Sequence, residues 1–426
     1  MSSARKVAVK VLSEIERDGS YSNIAADVAL NEAGLNSADS RLASMLIYGC
    51  LQRKITLNKV LRDMAGDSFR KTHPFVVSVC LVGAYQLLFM DKIPESAAVN
   101  ESVKIVKASK QRFAAGFTNA VLHKIARSKP EILKTIADSD DLSFKYSCSK
   151  ELIESLIKDY GFELAEGFLK ASLESPKLIC RLNNFADTNG LLESLSEKGI
   201  ECNNCDLDSA FTLKGAGNVE RLPEFRDGKF FVQDLASQIA ISDLNIKEGM
   251  NVLDVCAAPG GKSFTAAQYA GKSGKIVACD LYEKRVGLIL NGAKRLNINN
   301  LTAIQNDATI YNQSLGQFDR VLCDVPCSGF GVIRRKPEIK YKNLSEFDEL
   351  PEIQLNILKT SVKYLKANGE IMYSTCTLRN AENKEVVDKF LRENMDFEIV
   401  LEKTLFPQIS SSDGFYFCVL KRKNFE

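Results

Sequence analysis

The stretch Asp254-Val-Cys-Ala-Ala-Pro-Gly-Gly-Lys-Ser263 follows a short apolar run and precedes a segment of helical periodicity. It therefore reads as a strand, a turn and the start of a helix. Its tail, Gly261-Lys262-Ser263, is how a phosphate-cradling loop of the form G-x-x-x-x-G-K-[ST] ends. The first glycine of that form would stand at position 256, which is Cys256. Glycine there lets backbone N–H groups turn inward around phosphate, and a cysteine with Pro259 close behind spoils the nest. The dinucleotide fingerprint G-x-G-x-x-G is missing too. Yet Asp280 ends the next predicted strand, twenty residues after Gly260, where a doubly wound sheet places an acid for a ribose diol.

A sheet that keeps the ribose carboxylate and lacks both phosphate cradles suits a nucleoside cofactor without phosphates. S-adenosylmethionine is the common one. The candidate cradle is Cys256, Ala257, Ala258, Pro259, Gly260, Gly261 and Lys262, whose glycines admit the backbone to the methionine portion. Asp280 would take the ribose hydroxyls, and Asp307, in Asn306-Asp-Ala308, could accept from the adenine amino group. Taken alone, Asp307 is as readily a turn aspartate.

Outward from this loop, strands alternate with helices. Strand candidates are Asn251–Val255, Lys275–Cys279, Arg320–Cys323, Gly369–Ser374 and Phe415–Leu420. Lys262–Ala270 and Glu283–Leu296 have helical periodicity, the latter with Val286, Ile289, Leu290 and Ala293 on one face. Repeated β-α-β units predict an α/β, Rossmann-like, doubly wound and mostly parallel sheet over residues 229–426. Ligands of such sheets sit at the carboxyl ends of strands, where Asp254, Asp280, Asp324 and Thr375 fall. Residues 1–134 read as all-α: Val7, Val11 and Ile15 recur at helical spacing, as do Leu42 and Leu46, and Leu57, Val60 and Leu61. Residues 137–141 are a candidate linker. Residues 142–228 mix helices over 150–160, 164–172 and 189–198 with strand-like Lys177–Leu182, a small α+β module.

The chain has 426 residues with a net charge of +2, and the charge is unevenly placed. Residues 1–130 carry 19 Lys and Arg against 11 Asp and Glu, leaving 37 against 43 in the remainder. Ser102–Pro130 holds seven Lys or Arg and no acid, interleaved with apolar anchors. That pattern favours a polyanion surface, RNA or DNA, over a merely solvated face. Arg334, Arg335 and Lys336 could guide a strand locally or lie on a solvated loop. The most apolar stretch, Phe75–Met90, falls short of a membrane span and reads as a buried core helix. A cytoplasmic protein without membrane partners is expected. The twelve cysteines are scattered, with no disulfide framework implied. Cys202 and Cys205 have metal spacing but no answering ligand pair, so no metal site is expected.

Two further stretches carry chemistry. Asp324-Val-Pro-Cys-Ser-Gly329 and Tyr373-Ser-Thr-Cys-Thr377 each place a cysteine just past a predicted strand that points into one crevice. A lone cysteine there is more often a small buried hydrophobe; two beside a methyl-donor pocket suggest a reaction. Carbon 5 of cytosine is too weak a nucleophile to take a methyl group unaided. A thiolate adding to carbon 6 makes carbon 5 enamine-like, and a base must later remove the carbon 5 proton so that the thiolate can leave. The thiolate requires a lowered cysteine pKa, for which Lys262 and the sulfonium are candidates. Spacing alone leaves open which cysteine attacks.

Cys256-Ala-Ala-Pro-Gly-Gly-Lys262, Asp324-Val-Pro-Cys-Ser-Gly329 and Ser374-Thr-Cys376 resemble the three signature motifs of the Sun/RsmB family of RNA 5-methylcytosine methyltransferases. Phe231-Val-Gln-Asp-Leu-Ala-Ser237 resembles the segment opening that family's catalytic domain. Gly83–Phe89 and Ala115–Leu122 are similar to the NusB-like RNA-binding domain. The resemblance covers nearly the whole chain, most weakly over 142–228, where family tryptophans are missing. It implies 16S ribosomal RNA as substrate, Cys376 as the attacking thiolate, Cys327 as an aid to product release, and Asp324 at the cytosine's Watson–Crick edge and in the cofactor site. A monomer is expected. Two other readings compete. Cys256 disfavours a P-loop nucleotidase, and the retention of both Cys327 and Cys376 disfavours a non-catalytic RNA-binding or antitermination-type factor.

Overall fold

Helical spacing near the start of the chain becomes a packed helix bundle. Val7, Val11 and Ile15 are buried on the helix Ala4–Asp18, and Leu57, Val60 and Leu61 on the helix Lys54–Ala65. They share one core with the helix Pro74–Phe89, whose Val76, Val79, Val82 and Leu87 are at most 2% exposed. That helix starts where its sequence dictates: Pro74 needs no N–H partner in the first turn, and His73 Nδ1 accepts from Phe75 N at 3.2 Å. Among the described residues no helix is long and apolar enough to cross a membrane.

The computed structural model describes residues 3–18 and 22–423. Its chain divides into two units, Met1–Ser175 with Ile333–Asn343, and Pro176–Val332 with Leu344–Glu426. The helical unit thus runs past residue 134. The helices Leu142–Tyr146, Lys150–Tyr160 and Phe162–Ala171 belong to it, and Phe144 enters its core. Only the later part of the 142–228 stretch forms the small sheet described below. The unit also takes in 333–343 through polar contacts invisible in the sequence. Lys340 is fully buried, donating to the carbonyls of Gln52 at 3.2 Å and Tyr146 at 3.0 Å. Tyr341 Oη donates to Leu51 O at 2.6 Å. Burial pulls the Lys340 ammonium down to about 8. Arg334 is also buried, which removes it from the solvated loop suggested for 334–336.

The second unit holds two sheets. The smaller is antiparallel, built from β1 (Leu178–Leu182), β2 (Glu201–Asn204), β3 (Ala210–Lys214) and β4 (Phe230–Val232) in the order β2-β3-β1-β4. The larger comprises β5 (Asn251–Asp254), β6 (Lys275–Asp280), β7 (Leu301–Gln305), β8 (Phe318–Asp324), β9 (Leu365–Thr375), β10 (Phe397–Leu405) and β11 (Phe415–Arg422). Its order is β10-β11-β9-β8-β5-β6-β7. The pairs β5–β6, β6–β7, β5–β8 and β8–β9 are parallel, while β9–β11 and β10–β11 are antiparallel. Apolar cores cover both faces, so the sheet is doubly wound, as expected. The chain proceeds from β5 to β6 and β7 on one side, then returns to β8 and β9 on the other. The switch point lies between β5 and β8, where such sheets open a ligand crevice.

Two strands escaped the sequence reading, β7 and β10. Both are sheet edges with half-exposed side chains, so neither shows a continuous apolar run. One helix face needs correction: on Glu283–Arg295, Val286, Ile289 and Ala293 are buried but Leu290 is 48% exposed.

Candidate functional site

The loop from β5 into the helix Gly261–Ala270 is braced from several sides. Ala257 N donates to Cys279 O at 2.8 Å and Gly260 N to Ala257 O at 2.8 Å, and Phe264 N reaches Gly260 O at 2.8 Å. Gly260 has φ 115°, and a Cβ there would stand 2.4 Å from the Phe264 ring, so only glycine fits. Asp280, at the end of β6 and 2% exposed, holds the same loop. Its Oδ2 accepts from Ala258 N at 3.3 Å and pairs with Arg285 at 3.4 Å, and its Oδ1 accepts from Tyr282 N at 3.2 Å. Asp307 makes an Asx turn: its Oδ1 accepts from the amide and hydroxyl of Thr309 at 2.9 and 2.7 Å.

Asp254 sits at the head of the loop, fully buried. Its Oδ2 accepts from Ser263 Oγ at 2.6 Å, while Oδ1 makes no hydrogen bond. Burial, partly offset by the Ser263 bond, pushes its carboxyl up to about 7. Gln233 stands beside the loop glycines, with its Nε2 3.7 Å from where a Gly261 Cβ would be. Its Oε1 accepts from Thr265 Oγ1 at 2.7 Å, and its buried Nε2 is unbonded. Burial and the neighbouring Cys323, Asp254, Asp324 and Asp280 hold the Cys256 thiol well above its ordinary range, which makes it a poor nucleophile.

The two cysteine stretches meet because β8 and β9 are parallel neighbours in a register that sets Asp324 opposite Ser374. Cys327 Sγ and Cys376 Sγ lie 3.2 Å apart, both as free thiols. Asp324 joins this pair to the loop 256–262: Lys262 Nζ donates to its Oδ2 at 2.8 Å and Ser374 Oγ to its Oδ1 at 2.8 Å. Burial works against the Lys262 charge. The charge of Asp324 and its hydrogen bond, helped by Cys376 and Asp254, nevertheless hold the ammonium above its ordinary pKa. The hydrogen bond to Cys376, then burial, then the charges of Cys376, Glu382 and Asp324 raise the Cys327 thiol well above its usual range.

Several residues at this centre escaped the sequence reading. Glu382, fully buried, takes Ser328 N at 2.9 Å, Ser328 Oγ at 2.6 Å and Gln354 Nε2 at 3.1 Å. Asn383 Nδ2 donates to Thr377 O at 3.0 Å, and its Oδ1 accepts from Thr375 Oγ1. A charged residue in Arg379-Asn-Ala-Glu382 looks like a solvated turn, so nothing in the sequence marks it. In the helical unit, Lys107, Lys110 and Arg112 are exposed and unpaired among the described residues, and Phe113, next to Arg112, is 81% exposed. Lys104 instead pairs with Glu101 at 2.7 Å, just outside the acid-free stretch.

Comparison with known proteins agrees with both halves. Residues 241–421 match the family model described as 16S rRNA methyltransferase RsmB/F, and residues 2–127 match the NusB family. The chain is 35% identical to the probable ribosomal RNA small subunit methyltransferase B of Bacillus subtilis, covering 99% of each chain. It is 30% identical to ribosomal RNA small subunit methyltransferase B of Escherichia coli, over 98% of each. The solved structure of PH0851 shares the fold over 98% of both chains, with a TM-score of 0.80 at 23% identity. A NusB-type bundle, a methyltransferase sheet and full-length relatives of one kind converge: the chain belongs to the RsmB/F family of 16S rRNA methyltransferases.

Proposed function

We propose that the protein transfers a methyl group from S-adenosylmethionine to carbon 5 of a cytidine in 16S ribosomal RNA, through a covalent adduct between a cysteine sulfur and carbon 6. The observation that carries this reading is the pair Cys327 and Cys376, 3.2 Å apart at the ends of adjacent strands and joined to the cofactor loop through Asp324 and Lys262. Family membership points to RNA as substrate and to the cytoplasm as its place.

The residues around the loop fit the donor. An acceptor, Asp254 Oδ1 at the head of the loop, and a donor, Gln233 Nε2 beside Gly261, are buried without hydrogen bonds. Unspent groups of both kinds suit the ammonium and carboxylate of a methionine moiety. Asp280 would take the ribose hydroxyls with the lone pairs its loop contacts leave free, and Asp307 Oδ2 the adenine amino group. Cys256, Ala257, Ala258, Pro259, Gly260, Gly261 and Lys262 form the rest of the cradle. Bound there, S-adenosylmethionine supplies the electrophilic methyl group.

The remaining work falls to the chain. The cytidine leaves its stack to reach the crevice, and Asp324 holds its Watson–Crick edge. Cys376 Sγ adds as a thiolate to carbon 6, with Lys262 favouring the charged form, and the ring electrons become available at carbon 5. Once carbon 5 is methylated, a base takes its proton, the electrons of that C–H bond restore the double bond between carbons 5 and 6, and the sulfur leaves carbon 6 as a thiolate. Cys327, facing the adduct sulfur, assists that release. Cys376→Ala should abolish both methylation and the adduct, whereas Cys327→Ala should form the adduct and fail to release it. On denaturing gels a slow-migrating protein–RNA band would accumulate for Cys327→Ala alone. The reverse pattern would overturn the assignment and make Cys327 the nucleophile.

A further inference from the structure

Each cysteine is bracketed by its chain neighbours, and one short turn holds three of these directly and the fourth, Pro326, through Gln354. Pro326 O accepts from Gln354 Nε2 at 2.9 Å, and Gln354 also donates to Glu382. Ser328, on the other side of Cys327, gives Glu382 both its amide and its hydroxyl proton. Asn383, the next residue, binds Thr375 and Thr377 on either side of Cys376. The hydroxyls of Ser328 and Thr377 meet at 2.9 Å. A hydroxyl has one proton, and that of Ser328 is committed to Glu382, so Thr377 donates to Ser328 and Ser328 to Glu382. Tyr373 Oη anchors the turn by donating to Glu382 O.

We propose that Glu382 is a positioning residue that sets Cys327 against Cys376. This inference rests on the two-cysteine reading above. A carboxylate buried this completely is costly unless every oxygen is satisfied; here the hydrogen-bond donors come from residues that flank or support the Pro-Cys loop, and Arg379 lies 3.9 Å from Oε1 as the ion-pair partner. Asn383 does the corresponding work for Cys376, so the two sulfurs are held through adjacent residues of one turn. Glu382 thereby governs the release half of the reaction and leaves the attack half to Asn383.

Glu382→Gln tests this, because it keeps the shape and places an amide N–H₂ where the Ser328 and Gln354 donors need an acceptor. Two readouts apply to the full-length protein. One is the covalent RNA band on denaturing gels, with Cys327→Ala as reference. The other is the rate at which diamide, a thiol oxidant that takes up two electrons and two protons, closes a disulfide between Cys327 and Cys376. Glu382→Gln should form the adduct within threefold of the parent rate, release it at least tenfold more slowly, and close the disulfide at least tenfold more slowly. Ser328→Ala, a smaller perturbation, should change release and closure in the same direction and serves if Glu382→Gln fails to fold. Parental release and closure rates in the folded variant would overturn the proposal, as would loss of adduct formation with closure intact. If Cys327→Ala itself accumulates no band, the two-cysteine reading fails, while the closure rate still decides whether Glu382 sets the sulfur pair.

Discussion

Gly331→Ala should cripple the enzyme through backbone contact alone. Gly331 lies between the two cysteine loops, donating to Cys376 O at 2.9 Å and accepting from Gly414 N at 2.9 Å. A Cβ on Gly331 would stand 2.0 Å from Gly414 O, 2.6 Å from its carbonyl carbon and 2.7 Å from Cys376 O. All three are backbone atoms, so no side chain can swing aside. Ordinary contact begins at 3.4 Å, so the Gly414 carbonyl would have to give by about 1.4 Å and the Cys376 carbonyl by about 0.7 Å. Overpacking costs roughly 1–3 kcal/mol, and the two strained hydrogen bonds about 1 kcal/mol each. A destabilisation on the order of 4 kcal/mol follows. A misplacement of about 1 Å at reacting groups can cost roughly 100-fold in rate. Transfer of labelled methyl from S-adenosylmethionine to 16S rRNA should therefore fall by a factor of that order, with a lowered urea midpoint. Activity within threefold of the parent and an unchanged midpoint would refute the reasoning.

Stability should also depend on Asp254. A free carboxyl ionises near 3.9, whereas buried Asp254 keeps its proton up to about 7. Between those values the folded state binds a proton that the unfolded state has lost, so stability falls as pH rises through that window. The contribution is about 4 kcal/mol, at roughly 1.4 kcal/mol per pH unit. Asp254→Asn should flatten the decline in melting temperature from pH 5 to 8, and equal slopes for the two proteins would exclude this origin. On the helical unit, replacing Lys104, Lys107, Lys110 and Arg112 by Gln should weaken RNA binding and reduce its salt dependence, because fewer counterions are released. Lys107, Lys110 and Arg112 should account for most of the change, since Lys104 is shared with Glu101. An unchanged salt slope would dismiss this surface as the RNA contact.

Much was legible from residue type and local spacing. Cys256 excluded a phosphate nest, and the apolar runs that end at Asp254, Asp280 and Asp324 announced strands whose carboxyl ends share a crevice. Periods of two and of 3.6 residues are local properties, because they follow from how successive side chains leave the backbone. What sits opposite what is not local. Cys327 and Cys376 are 49 positions apart, and only the parallel pairing of β8 with β9 brings their sulfurs within 3.2 Å. A slip of one residue would have turned either strand's side chains to the other face. Nothing in the sequence marks Glu382 or Lys340, yet both are fully buried, because their partners are hydroxyls, an amide side chain and backbone groups that arrive from distant segments. The edge strands β7 and β10, the exposed Leu290 and the transfer of 333–343 to the helical unit have the same origin. The sequence by itself determined the kinds of element and the chemistry available at their ends. The tertiary structure decided which ends meet and which charges are buried, because register and packing are settled by the chain as a whole.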